Sequence, residues 1–290
     1  MQPTRPPRDP ITLIPRGSPR TSRAPAPAPF GPPPLLDVRG AVDQAPAAAA
    51  DPSRALAADL AARFAALERS RLDSWVRAAG WSLMGWLGRP FSRARPPRVV
   101  HPSGLHLLHL GAGARLFEGW VNADYCRPWQ LLSRGPRPNW TVDLTRPLPC
   151  GDGVFDGVLL EHTNEHLTYS ENLRLFAEVH RSLRPGGVLR VIVPSLTRYL
   201  AWDTERAHEP KLARFHSLPE ALSYLTQNHA HRSVWDVALL SEVLSAVGFS
   251  EVTERKHRDS ALAELAVDAP RHAWESVAVE GRAAQRLRLV

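Results

Sequence analysis

The sequence has little lysine and little cysteine. Only Lys211 and Lys256 among its 36 basic residues are lysine, which is typical of a GC-rich coding bias. Two cysteines, Cys126 and Cys150, are too few for a cysteine-rich metal site or a disulfide framework. The sequence also lacks an apolar run of 18 residues, so no membrane-spanning helix is expected, and no apolar core of signal-peptide length follows the N-terminus. We therefore expect a cytoplasmic protein.

The positive charge is concentrated in the first hundred residues. Residues 1–50 contain six arginines against three aspartates, and residues 54–100 contain nine arginines against three acidic residues. The formal charge of +7 therefore describes the N-terminal third, and residues 101–290 are near neutral. A near-neutral main domain makes nucleic acid an unlikely partner.

The composition predicts three segments. Residues 1–50 hold 13 of the 28 prolines and cannot bury enough apolar surface to fold, so we expect a disordered arm. Residues 51–100 form an amphipathic, Arg- and Trp-rich helical extension in this prediction, with Pro52 suited to the first helical position. Residues 54–98 pack on the main domain, lie peripherally on an anionic membrane, or contact an acidic protein, and these interpretations remain open. Residues 101–290 form the main domain.

From residue 104 onward, short apolar segments alternate with amphipathic ones. The predicted strands are LHLLHL, GWVNADY, WTVDL, VFDGVLLEH, VLRVIVP, EVTERKH and WESVAVE. Helices are predicted at NLRLFAEVHRSL, which stops at RPGG, and at DVALLSEVLSAVGF, which Gly248 closes. Alternating strands and helices with buried strands predict an α/β fold built on a doubly wound, mostly parallel sheet.

A glycine turn and two carboxylates follow the first three predicted strands. Gly111 and Gly113 allow backbone to approach a ligand closely, although GAG is neither a dinucleotide fingerprint nor a phosphate loop. Asp124 ends the second strand, where a carboxylate can accept both ribose hydroxyls of a nucleoside. Asp143 ends the third strand, at a place suited to an adenine amino group.

The order of these motifs resembles the class I methyltransferases that use S-adenosylmethionine. The segments that carry the resemblance are LHLGAG, GWVNADY, DLTRPLPCGDGVFDGVLLEHTNEHL, LRPGGVLRVIVP and ESVAVEG, which together cover about residues 104–281. The sequence is most similar to the bacterial predicted methyltransferase group, of the methyltransferase type 11-like kind. The resemblance implies a seven-stranded, Rossmann-like sheet and S-adenosyl-L-methionine as cofactor.

The resemblance also implies cofactor-binding residues. In the family's pattern the cofactor loop is Gly111, Ala112 and Gly113, Asp124 holds the ribose, and Asp143 with Leu144 frames the adenine. Glu161 faces the methionine end, and His109 stands where many members have an acidic residue, which weakens the grip on the methionine ammonium. Because only ten residues separate Gly113 from Asp124, the first helix must be short or absent.

The segment EHTNEHL, residues 161–167, contains the spelling H-x-x-E-H of an inverted zinc-peptidase motif. A zinc peptidase needs a substantial helix and a third ligand, whereas this motif follows a strand directly, so we expect no metal. Two interpretations stay open: Glu165 and His166 cap and brace the structure, or His162 or His166 acts near the substrate.

A second histidine-containing segment, NHAHRSVWD, includes His229 and His231, and it is either a solvated loop or part of the mouth of the cleft. Histidine titrates near working pH and suits proton transfer from a hydroxyl, so the catalytic candidates are His162, His166 and His231.

These features predict a methyltransferase acting on a small molecule such as a saccharide or secondary metabolite. The alternative is a non-catalytic relative that keeps the fold as a binding or scaffold module. Methylation of nucleic acid is disfavoured because no Asn-Pro-Pro-Tyr element follows the fourth strand. The oligomeric state does not follow from the sequence.

Overall fold

The computed structural model describes residues 95–125 and 137–284, together with Val76 and Gly80. The predicted arm lies outside the described residues, as does nearly all of the predicted helical extension, although Val76 and Gly80 are both helical. Within the described residues, no helix combines the length and the apolar character needed to cross a membrane.

Seven strands form one mixed sheet. In chain order they are β1 Leu107–Leu110, β2 Val121–Asp124, β3 Trp140–Thr141, β4 Phe155–Glu161, β5 Leu183–Pro194, β6 Phe249–Arg255 and β7 Ser276–Ala283. Their spatial order is β3-β2-β1-β4-β5-β7-β6. The first five strands run parallel, and β7 is antiparallel to both of its neighbours. The chain therefore has the predicted α/β, mostly parallel, Rossmann-like methyltransferase fold.

Six α-helices lie within residues 137–284. They are α1 Tyr169–Ser182, α2 Leu196–Leu200, α3 Trp202–Glu205, α4 Pro210–Ala213, α5 Leu218–Gln227 and α6 Val237–Val247. Short 3-10 helices occur at Asn164–His166, Ala263–Leu265 and Pro270–His272. The predicted helices α1 and α6 are confirmed, whereas α2 to α5 form an insertion after β5 that the sequence analysis did not identify.

Local sequence explains where the two longest of these helices begin and end. Thr168 forms a capping box with Glu171, because the Thr168 side chain accepts from the Glu171 N–H and the Glu171 carboxylate accepts from the Thr168 N–H. The Asp236 side chain caps α6 by accepting from the N–H of Leu239. Gly248 ends α6 with φ +110°, a backbone conformation that favours glycine.

The two faces of the sheet are covered differently. On the first face, β-branched and leucine side chains pack against apolar residues of α1 and α6, such as Phe176 and Leu240. On the second face a smaller apolar cluster packs against the segment around Leu262, Leu265 and Val267. Residues 111–120 contain no helix, as the short spacing before Asp124 predicts.

The second face also carries a row of buried polar side chains. In the strand register Asn122 pairs with His109, His109 with Leu159, Leu159 with Arg190, and Arg190 with Glu280. Residues paired on neighbouring strands point to the same face of a sheet, so these five form one row across β2, β1, β4, β5 and β7. The Arg190 and Glu280 end of this row holds the segment that covers the face.

Candidate active site

The glycine turn after β1 has two glycines with different surroundings. Gly111 and Gly113 have φ of +71° and +54°, in the left-handed region that glycine adopts readily. A Cβ on Gly111 would collide with the side chain of Thr163, whereas a Cβ on Gly113 would meet no described atom within 4 Å. Gly111 is therefore required for packing against the EHTNEHL segment, whereas the space above Gly113 is open as far as the described residues extend.

Asp124 is fixed beside this open space. Its Oδ2 accepts a hydrogen bond from the N–H of Gly113 at 2.6 Å, and its Oδ1 accepts one from the N–H of Tyr125 at 2.6 Å. The carboxylate thus joins the end of β2 to the glycine turn at the carboxyl edge of the parallel strands, where ligands of such sheets bind. An ionised carboxylate is an acceptor with about four lone-pair positions, the kind of group to which ribose hydroxyls donate.

Asp143 follows β3 at the same edge of the sheet. Its Oδ1 accepts from the backbone and hydroxyl of Thr145 at 3.0 and 2.6 Å, and the Tyr125 hydroxyl lies 3.4 Å away. Burial, followed by the charge of Asp143, raises the pKa of Tyr125. Leu144 is buried in the first apolar cluster. The adenine-framing roles of Asp143 and Leu144 stay predictions, and Tyr125 is a residue of this corner that the sequence analysis missed.

Glu161 connects two segments above the sheet. Its Oε1 accepts from the N–H of Ala269 at 2.6 Å, and its Oε2 forms an ion pair with Arg115, which also donates to the carbonyl of Val267. The stretch after the glycine turn is thereby bound to the segment before β7. The predicted contact of Glu161 with the methionine end stays a prediction.

His109 lies on the second face of the sheet. Its ring is 2% exposed and packs against Phe117, with the ring centroids 5.0 Å apart. No described residue forms a hydrogen bond with its Nδ1. Burial, together with the charge of Arg115, lowers the pKa of His109 to about 4, so the imidazole is neutral at pH 7. The structure gives the ring a packing role, and its predicted contribution to the cofactor site is not tested.

The EHTNEHL segment turns sharply at the end of β4. His162 has φ +49°, which is unusual for a residue with a side chain and typical of strained functional positions. Its Nε2 is 2.7 Å from Oγ of Ser276, its Nδ1 is 3.3 Å from Oε1 of Glu165, and its ring stacks on His272 at 3.7 Å. Thr168, and not Glu165, provides the helix cap that follows.

The structure brings His166 and His231 to Glu165, although the two histidines are 65 positions apart in the sequence. Their rings are 5.2 Å apart, and the backbone N–H groups of Arg232 and Ser233 donate to the carbonyl of Glu165 at 2.7 and 3.1 Å. The loop that carries His231 is thus fixed to the 3-10 helix that carries His166. The three predicted catalytic histidines, including His162, therefore surround one buried carboxylate; their catalytic roles stay predictions.

The pKa values of Glu165, His162 and His166 reflect how close these side chains lie to one another. Burial alone would raise the pKa of Glu165, but the adjoining His162, together with His166 and His231, lowers it to about 2. Burial alone would lower the pKa of His162, and Glu165 raises it instead. Burial lowers the pKa of His166 to about 4. Glu165 is therefore an ionised carboxylate inside the protein.

Tyr199, in the first helix of the insertion, is buried. Its hydroxyl donates to Oε2 of Glu275 at 2.7 Å, and Oε1 of Glu275 is 3.0 Å from Nδ1 of His272. Burial and the charge of Glu275 raise the pKa of Tyr199. Because His272 stacks on His162, these contacts link the helical insertion to the histidine cluster, which consists of His162, His166 and His231 around Glu165.

A family model described as "Methyltransferase domain" matches residues 129–191, which include β4, EHTNEHL, α1 and most of β5. The match confirms the resemblance to S-adenosylmethionine-dependent methyltransferases of the type 11-like kind, and with it S-adenosylmethionine as the cofactor. No curated protein matches the sequence.

Several solved structures are similar to the chain at a distance. A SAM-dependent methyltransferase from Archaeoglobus fulgidus is 14% identical, with 61% of this chain and 86% of that chain covered and a TM-score of 0.37. The Burkholderia thailandensis 1,6-didemethyltoxoflavin-N1-methyltransferase is 19% identical, with coverages of 83% and 93% and a TM-score of 0.39. Human N-acetylserotonin methyltransferase is 18% identical, with coverages of 61% and 47% and a TM-score of 0.38. At this distance none of them assigns a substrate to this chain.

Proposed function

We propose that the protein is an S-adenosylmethionine-dependent methyltransferase acting on a small-molecule acceptor. The observation that carries the proposal is the Asp124 carboxylate, which is bound to the N–H of Gly113 beside open space at the carboxyl edge of the sheet. A nucleoside needs an acceptor for its ribose hydroxyls and a backbone turn that it can approach closely. Asp124 and Gly113 meet these two requirements at one corner.

In this proposal, the residues around this corner contact different parts of the cofactor. Asp124 accepts from the ribose hydroxyls, Asp143 and Leu144 border the adenine, and the glycine turn contacts the middle of the cofactor. When bound, S-adenosylmethionine supplies a methyl group on a positively charged sulfonium, which is a good leaving group. The chain's main contribution is to hold acceptor and cofactor in line, because alignment alone can supply roughly 7–11 kcal/mol of rate enhancement.

The acceptor side of the proposal rests on the histidine cluster and on the helical insertion. Thr163 packs under the glycine turn, and His162 immediately precedes it, so the cluster adjoins the cofactor corner. The insertion α2 to α5 leaves the sheet at the carboxyl end of β5, the same edge, and has its own apolar core that includes Tyr199 and Trp202. We propose that the insertion borders the site of a small acceptor such as a saccharide or secondary metabolite.

A cavity at the insertion is the candidate place for the acceptor, although no residue that lines it belongs to the glycine turn or to EHTNEHL. It has a volume of about 480 Å³, and its lining includes Arg198, Glu205, His208, Lys211 and Trp274. Small-molecule sites commonly have volumes of roughly 300–1,000 Å³. An aromatic ring among hydrogen-bonding and charged groups is a lining suited to a polar acceptor.

The experiment that tests the proposal is calorimetric titration with S-adenosylmethionine. We expect Asp124→Ala to weaken binding about hundredfold, which corresponds to about 3 kcal/mol, because two charge-assisted hydrogen bonds are lost. Asp124→Asn should be milder, since an amide oxygen still accepts. Glu118→Ala is the matched control, because Glu118 is an exposed carboxylate on the same loop. Equal affinity of Asp124→Ala and the parent protein would refute the ribose assignment.

A second candidate, a non-catalytic module that keeps the fold, is favoured by one observation. The position two residues before the first glycine is acidic in many members, and here it is the buried, neutral His109. Absence of binding at millimolar S-adenosylmethionine would favour this candidate, and micromolar binding would favour the enzyme.

A further inference from the structure

The Glu165 carboxylate is buried with little to balance it. Its side chain is 2% exposed, and apart from the ion-pair contact with His162 at 3.3 Å, neither oxygen has a hydrogen-bond partner among the described residues. A buried charge without hydrogen bonds is costly, and such charges are normally paired or bound to a metal. His162 is one positive neighbour of Glu165, and a metal ion would supply the ligation that the two carboxylate oxygens lack among the described residues.

Two histidines lie close enough to Glu165 to bind the same cation. The ligand-capable atoms of Glu165, His166 and His231 all lie within 4.8 Å of one another. Each side chain offers a donor atom that binds first-row divalent ions. Two imidazoles and one carboxylate also form the protein ligand set of several catalytic zinc sites.

The loop carrying His231 is held in a strained conformation. His229 and Ala230 both have positive φ, +59° and +60°, which residues with side chains seldom adopt. The loop is fixed by the hydrogen bonds from residues 232 and 233 to the carbonyl of Glu165. This conformation positions His231 next to Glu165, and strain of this kind collects at ligand sites.

The outer contact of His231 is that of a metal ligand. Nδ1 of His231 lies 2.6 Å from the carbonyl of Leu225, so Nδ1–H donates and Nε2 keeps its lone pair. Metal-binding histidines almost always donate their second ring N–H to a carbonyl or carboxylate, which fixes the tautomer and the ring orientation.

We propose that Glu165, His166 and His231 form a binding site for a divalent transition-metal ion, with Zn²⁺ as the probe. The proposal departs from the expectation of no metal, which considered His162 and His166 as the pair. In the structure the His162 ring lies between Glu165, Ser276 and His272 and is not one of the three proposed ligands. The site is therefore not an inverted zinc-peptidase motif, and its third ligand comes from a distant loop.

The metal site has a role in catalysis if the chain is a methyltransferase, as proposed above. Three protein ligands leave coordination positions of a zinc ion open, and a hydroxyl oxygen of the acceptor can occupy one of them. A bound ion lowers the pKa of such a hydroxyl and fixes its position. This step rests on the proposed methyltransferase activity and implies a hydroxyl-bearing acceptor, whereas metal binding itself does not depend on it.

The test is Zn²⁺ titration of the full chain after chelator treatment, with metal content measured on the same samples. We expect one Zn²⁺ per chain, bound about a hundredfold or more weakly in Glu165→Gln and His231→Ala. His229→Ala, on the same loop, should bind like the parent protein. Absence of stoichiometric Zn²⁺ from the parent protein, or affinities of both ligand variants within about threefold of the parent's, would overturn the proposal.

Three further measurements distinguish failure of the metal site from failure of the proposed function. The Co²⁺-loaded parent protein should show visible absorption typical of a low-coordinate nitrogen and oxygen site, and this signal does not require a variant to fold. His272→Ala tests the neighbouring group His162, His272 and Glu275; loss of Zn²⁺ in this variant alone would contradict the assignment. Titration with S-adenosylmethionine on the same samples reports the proposed function independently.

Discussion

Arg190 and Glu165 are both buried charged side chains, and they differ in how completely their polar atoms are paired. Arg190 is 0% exposed, and all five of its N–H groups have acceptors. The acceptors are both oxygens of Asp268, one oxygen of Glu280, and the carbonyls of Lys256 and Asp259. Glu165 has only the contact with His162 and the nearby imidazoles.

How completely the charged group is hydrogen-bonded distinguishes a structural ion cluster, at Arg190, from a candidate ligand-binding site, at Glu165. Every partner of Arg190 belongs to β7 or to residues 256–268, which cover the second face of the sheet. The first face is covered by helices through apolar contacts, so it needs no such network. A fully paired ion cluster holds structure in place, whereas a charge left without hydrogen bonds is usually completed by a ligand.

Breaking the paired cluster should have the largest effect. Arg190→Leu removes the buried cation that Asp268 and Glu280 share and leaves them only the more exposed His257 and Arg255, so we expect the free energy of unfolding in urea to fall by about 3–5 kcal/mol. Arg282→Leu removes a surface pair with Glu251 and should cost less than about 1 kcal/mol. Equal losses in the two variants would show that the Arg190 cluster does not hold the second face.

His109 extends the comparison, because it is buried on the same face as Arg190 with one ring nitrogen lacking a hydrogen bond from the described residues. Its folded-state pKa near 4 lies below the ordinary value of 6.5, so only the unfolded chain binds a proton between these values. Stability is therefore fully present above pH 6.5 and falls as the pH is lowered toward 4. At pH 5 we expect a loss of about 2 kcal/mol relative to pH 7.5.

The measurement is urea unfolding at both pH values. His109→Leu should lack this part of the pH dependence, and His216→Leu, on the surface, should retain the parent slope. A His109→Leu protein that loses as much stability at pH 5 as the parent would show that His109 is not the group responsible.

Substitution of the two glycines of the turn should distinguish a packing role from a binding role, with effects smaller than those expected for Arg190 and His109. Both alanine variants face the cost of a left-handed backbone, roughly 1–2 kcal/mol. Gly111→Ala adds a collision with Thr163, so it should be the less stable variant in urea. Gly113→Ala places a methyl group in the open space and should weaken S-adenosylmethionine binding more. The opposite order for both quantities would contradict the assignment of the space above Gly113 to the cofactor.

Sequence patterns predicted the sheet because its signals are local. Each buried strand is a short apolar run, Gly248 closes α6, and the short distance from Gly113 to Asp124 leaves no room for a helix. The insertion α2 to α5 was missed because its four helices have 4 to 10 residues, too short for a clear apolar periodicity.

The site was predictable only in part. Asp124 and the glycine turn follow strands directly, so their meeting is a consequence of parallel topology. The joining of His231 to Glu165, and of Arg190 to Asp268, depends on contacts between residues 66 and 78 positions apart, which no local pattern encodes. Tyr125 and Arg115 were missed for the same reason, since their partners lie on other strands and loops.

The most direct test of the account is a crystal structure of the full chain with S-adenosylhomocysteine. The account predicts that both ribose hydroxyls lie within about 3.2 Å of the Asp124 carboxylate, with the nucleoside over Gly113. It also predicts that the sulfur end points toward the residues after β4. A complex whose ribose contacts other residues, or no complex at saturating ligand, would contradict it.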